Sequence, residues 1–246
     1  MTIKTPGQET LEQLELELAG ARADLDAWLD RHAPADFVRT LTGGELEGAY
    51  PGWDAVRTLL GRIYRAGVLA ELSSEAAADL VFCASRSVEI NLAVNWMQPE
   101  AKRLSTAGPL DPDGLLSLCE IALALPEDDL DYQLAAGFQN LEVLTPAHAA
   151  MLERLFARDF QYTKRRALGA LAHFEHPGVS DLADVLWDLR FEPAEDEEFA
   201  KLTCLYCLKR VAPGSEQFQR RFEEYQRLFD PSQESYRRTH LERLKA

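Results

Sequence analysis

Proline constrains this chain more than any other residue. Pro112, Pro146, Pro177 and Pro213 each sit at the edge of an apolar helical stretch, the last three at intervals of 31 and 36 residues. A ring that fixes φ and removes an N–H costs little only in the first turn of a helix, so these positions read as helix starts. Recurrence at such intervals is the period of a helical-repeat protein. The stretch Gln161 to Leu189, QYTKRRALGALAHFEHPGVSDLADVLWDL, shows one whole step of helix, proline-glycine corner and helix.

These marks predict helices over about 112–125, 146–158, 178–190 and 214–229, with partner helices over 128–144, 160–174 and 195–211 and a last helix over 232–244. Superposing the partners puts Leu141, Leu171 and Leu208 in one position, and Phe138, Leu168 and Leu205 in a second. Leu144, Phe174 and Val211 share a third, and the small residues Gly137, Ala167 and Cys204 a fourth. Large apolar groups three or four apart beside one small residue suit closely packed helices.

Upstream, Leu11, Leu14, Leu18, Ala21, Leu25 and Trp28 form a heptad-like stripe after the breakers Pro6 and Gly7. It can serve a coiled coil or, being under three full heptads, a helix packed on its neighbours. A weak helix is expected over 35–41 and a clear amphipathic one over 53–68, with Val56, Leu59, Leu60, Ile63 and Tyr64 on one face. Ser73 or Ser74 caps the next segment, and 73–97 reads as one helix or as two. The breaker-rich run 98–114 marks the best boundary, dividing an N-terminal helical region, 1–109, from repeats over 110–246. No strand-like alternation of useful length occurs, so the fold class is all-α.

Arg165 to Pro177, RRALGALAHFEHP, resembles the second helix of a HEAT-like repeat, including the short form of phycobilin lyase-type HEAT proteins. The following GVSDLADVLWDL would open the next unit. The resemblance is fair from Asp111 to about Phe229 and weaker over 73–99, and the other two partner helices lack the basic pair Arg165 and Arg166. It implies a right-handed α-α superhelix, a HEAT-like solenoid with extra N-terminal helices continuous with it. One face of such a stack is formed by partner helices that grip another protein. It implies no catalytic set.

A formal charge of -15, from 41 acidic against 26 basic side chains, repels phosphate backbones and anionic lipid at long range, so nucleic acid and membrane surfaces are poor partners. No apolar run is long enough to span a bilayer and no signal-peptide core opens the chain. Four unevenly placed cysteines form no disulfide framework, and the reading is a cytoplasmic protein. The charge is uneven: residues 111–200 carry 19 acidic and 6 basic side chains, residues 201–246 carry 6 and 10.

Three constellations invite chemistry and each has a plainer explanation. Cys204-Leu-Tyr-Cys207 has metal or redox spacing, but it falls inside a predicted helix and aligns with Gly137, Ala167 and other packing positions. His173-Phe-Glu-His176 straddles a helix end, where imidazoles meet the last carbonyls. The acidic runs at 127–131 and 192–198 sit at helix starts, favoured by the dipole. No cofactor, metal site or catalytic set is expected, and no phosphate loop or nucleophile elbow occurs.

A helical stripe remains as a partner face: Tyr162, Arg166, Gly169 and His173 align with Tyr132, Ala136, Gln139 and Val143, and with Phe199, Thr203, Tyr206 and Arg210. Tyr132, Gln139, Tyr162, Arg166, His173, Tyr206 and Arg210 are its interface-forming side chains. The equal alternative is that the stripe packs against the next repeat. The expected function is a non-enzymatic protein-interaction module, on charge and size an acidic inhibitor or immunity-type protein that binds a basic partner. The other expectation is an enzyme or enzyme accessory on the same scaffold, handling a chromophore or nucleic acid.

Overall fold

The computed structural model describes residues 10–33, 49–85, 112–124, 128–230 and 234–245. These residues hold eleven α-helices, two short 3-10 helices and no strand, so the chain is all-α. The expected helix at 35–41, the continuation of the 74–85 helix toward residue 97 and residues 98–111 of the breaker-rich run lie outside the described residues. Contacts group the chain into two units, Met1–Leu141 and Glu142–Ala246.

In the first unit α1 (Leu11–His32) begins at Thr10, whose hydroxyl accepts from the Gln13 N–H at 3.2 Å. Its stripe turns inward, with Leu14, Leu18, Leu25, Trp28 and Leu29 buried, and packs on α2 (Trp53–Ala66) and α3 (Ser74–Ser85). The heptad pattern is therefore used within the chain. Two ion pairs fix the docking. Arg62 grips both Glu17 oxygens at 2.6 and 3.1 Å, and Arg22 reaches Asp79 at 3.2 Å with its guanidinium 3.6 Å over the Phe82 ring. Ser73 rather than Ser74 caps α3, accepting from Ala76 at 3.2 Å. The unit is completed by α4 (Pro112–Leu123) and α5 (Asp128–Gly137), which pack on each other and on α3.

The helix expected over 128–144 is shorter: α5 gives way to a 3-10 turn, Phe138–Asn140, and Leu141 is extended. Gly137 is a weak helix former, and the Asn140 amide donates to the Gly137 carbonyl at 3.3 Å, ending the helix there. Leu144 therefore does not continue the packing ridge that the superposition gave it.

The second unit contains α6 (Pro146–Phe156), α7 (Gln161–His173), α8 (Val179–Asp188), α9 (Ala194–Val211), α10 (Glu216–Leu228) and α11 (Ser235–Lys245). Pro146 is the first residue of α6, while Pro177 and Pro213 lie just upstream of α8 and α10. Of the superposed positions the first, second and fourth are core, while Leu144, Phe174 and Val211 of the third are half-buried. Leu168, Leu171, Leu205 and Leu208 are fully buried, and Ala167 and Cys204 let α7 and α9 approach.

Helices α7, α9 and α11 lie in a row, with α6 and α8 packed on α7, and α8 and α10 on α9. Hydrogen bonds link residues 37 apart along the stack: Arg221 to Asp184, Gln217 to the Ser180 carbonyl and Arg210 to the His173 carbonyl. The corner after α7 is a two-bond helix stop: the Glu175 N–H donates to the Ala172 carbonyl and the His176 N–H to Leu171, both at 3.1 Å. Glu175 sits at φ 53, the left-handed position glycine usually fills.

Candidate functional site

The row of α7, α9 and α11 brings together most of the residues the sequence singles out. Helix α7 carries Lys164, Arg165 and Arg166 and no acidic side chain. Its inward positions are filled by Ala167, Leu168, Ala170 and Leu171, which leaves Tyr162, Arg166 and His173 exposed on the other side. Arg165 spans the gap to α9. Its Nε donates to Thr203 Oγ1 at 3.1 Å and its Nη1 to Gln161 Oε1 at 3.2 Å, and the guanidinium lies 5.2 Å from the Tyr162 ring and 5.4 Å from the Phe199 ring. Burial, assisted by the like charge of Arg166, pulls its pKa below the usual arginine value, but a guanidinium keeps its proton.

On α9, Arg210 is exposed and donates to the His173 carbonyl at 2.9 Å, capping the open end of α7. Tyr206 is half-buried: its hydroxyl meets His240 Nδ1 at 2.8 Å across to α11, the kind of contact expected where the stripe packs on the next repeat. Burial and the Arg243 charge lower the pKa of His240, which favours the neutral ring that can accept this bond at Nδ1. Tyr132 and Gln139 lie in the other unit, on α5 and its 3-10 extension, and both are half-buried.

The row continues further than the superposition carried it. Tyr162, Phe199 and Tyr236 are spaced by the same 37 residues as the bonded pairs, and Phe199 stacks on Tyr236 at 6.1 Å. Arg166, Thr203 and His240 form the next line, and Gly169, Tyr206 and Arg243 another. The signal for α11 was present in this spacing. Arg166, Arg210 and Arg243 make no ion pair among the described residues: Arg210 donates to the His173 carbonyl and Arg243 bonds to Tyr206, and none of the three charges meets a carboxylate.

Glu198 is the residue that sequence reasoning missed. It stands in an acidic run, yet it is only 2% exposed, and the same superposition aligns it with the buried Gln161 and Asp131, an inward polar position. Oε1 accepts from Tyr225 at 2.7 Å and Arg237 Nε at 2.8 Å. Oε2 accepts from Tyr236 at 2.7 Å and Arg237 Nη2 at 2.8 Å. Burial pushes the carboxyl pKa up, but these donors outweigh it and hold it below the usual range, while the Tyr225 and Arg237 values are pushed up. The rest of the run behaves as expected, with Glu195, Asp196 and Glu197 in the first turn of α9.

Cys204 and Cys207 are buried thiols in the interior of α9; desolvation raises both, Cys207 to about 12, which makes them packing groups rather than nucleophiles. His176 Nδ1 accepts from the Gly178 N–H at 3.3 Å and so belongs to the corner after α7. Among the described residues no three His, Cys, Asp or Glu side chains gather as a metal-binding set, and no helix is long and apolar enough to cross a membrane. No family model matches the chain, and neither a curated protein nor a solved structure matches it.

Proposed function

We propose that the protein is a non-enzymatic protein-interaction module on a HEAT-like superhelical scaffold, and that its partner docks on the row formed by α7, α9 and α11. The observation that carries this reading is the alignment of Tyr162, Arg166, His173 and Arg210 on two adjacent helices whose opposite sides form the core. Aromatic rings beside guanidinium groups that meet no carboxylate are the composition of binding hot spots.

Net charge alone favours a basic partner, but contact is governed by charge within a screening length of about 8 Å. The three helices of the row carry ten basic against five acidic side chains, and four of the five, Glu195 to Glu198, stand at the N-terminal end of α9, away from Arg210 at its other end. The partner surface that meets the row therefore carries carboxylates. The test is affinity capture from native lysate, at low and high salt, with wild type and with Arg166→Glu combined with Arg210→Glu. Both sites are exposed, so the fold should hold, with a small drop in melting temperature for the bond to the His173 carbonyl that Arg210 gives up. A partner retained equally by the variant, or a variant that loses its fold, removes this reading.

A further inference from the structure

Beside the row, at the C-terminal ends of α9 and α11, lies a cavity of about 360 Å³. Its floor is apolar: Phe218 and Phe222 stack at 5.8 Å, next to Pro213 and Leu244. Its rim carries Lys209 and Lys245, and no acidic side chain lines it. Lys209 donates one hydrogen bond to the Arg243 carbonyl at 2.7 Å, which fixes the ammonium at the rim and leaves two of its donors free.

We infer that this cavity is the anchor site for an apolar side chain carried in an acidic peptide segment of the partner. This rests on the docking row proposed above and extends it. Lys209 and Arg210 both stand in the last turn of α9, Lys209 turned to α11 and Arg210 to α7, so one segment crossing that turn can lie along the row and place its anchor in the cavity. The volume falls near the lower end of ligand-sized pockets and suits one or two apolar side chains, and two lysines without a nearby lining carboxylate select negative charge on either side of them. A basic segment would be repelled at the rim, and a neutral apolar one would gain nothing from the two ammonium groups.

The probe is a short fluorescein-labelled peptide of Asp and Glu around a central Leu-Phe pair, titrated against the full chain by fluorescence anisotropy. Its controls replace Leu-Phe with Ala-Ala, or the acids with lysine, and sodium decanoate serves as a competitor. Binding of the acidic Leu-Phe peptide should exceed that of either control peptide by at least tenfold. It should fall as strongly in Gln219→Trp, which fills the exposed rim, and in Lys245→Glu, with melting temperatures unchanged.

Equal binding of the Ala-Ala peptide would reduce the effect to diffuse charge and overturn the anchor. Decanoate binding with no preference for the Leu-Phe peptide would overturn the peptide assignment. A captured partner that ignores Gln219→Trp and Lys245→Glu but is lost with Arg166→Glu and Arg210→Glu would sink the cavity proposal while leaving the docking row standing.

Discussion

A carboxylate with almost no exposure persists at Glu198 because four donors reach it from three side chains. Removing one member of a buried ion pair leaves the other uncompensated, so Glu198→Ala should lower unfolding free energy by about 3–5 kcal/mol. Tyr225→Phe removes a single bond to a charged group and should cost about 1.5–3 kcal/mol. Urea denaturation followed by circular dichroism measures both, and near-wild-type values would mean that Arg237 finds other partners. The pH dependence has a definite sign. The folded pKa lies below the ordinary 4.5, so this stability is fully present above pH 4.5 and is lost as pH falls through the lowered value. The stability gap between wild type and Glu198→Gln should shrink on acidification across that window.

At the scale of elements, prolines and apolar spacing located the helices of the second unit to within a few residues, because helix starts and packing ridges are local properties. The shortened α5 shows the limit: the bond from Asn140 to the Gly137 carbonyl competes with helix continuation, and spacing of leucines does not weigh that competition. Tyr206 shows another, since its face was legible but its bond to His240 depends on a neighbouring helix. The corner after α7 permits a test in the stabilising direction. A non-glycine left-handed residue costs about 1–2 kcal/mol, and glycine's extra unfolded-state freedom offsets about 0.5–1 of it. Glu175→Gly should thus stabilise the protein by about 0.5–1 kcal/mol; a loss would show that the Glu175 side chain makes a compensating contact.

For the whole molecule, the division at Leu141 predicts that residues 142–246 fold alone. Expressed as a fragment, they should give a helical spectrum and one cooperative melt, whereas a gradual transition would show that the second unit needs the first. Overall charge was legible, but a sum over the chain carries no record of which helices face one way. The cysteines of α9 have a practical consequence. With Cys207 held at about 12 and Cys204 well above its normal value, both thiols are shielded from alkylating reagents while the helix stays packed. Labelling of Cys204 and Cys207 by iodoacetamide, read by peptide mass to separate it from Cys83 and Cys119, should therefore track the population of the locally opened state, so that the natural chain reports its own local unfolding without an introduced probe.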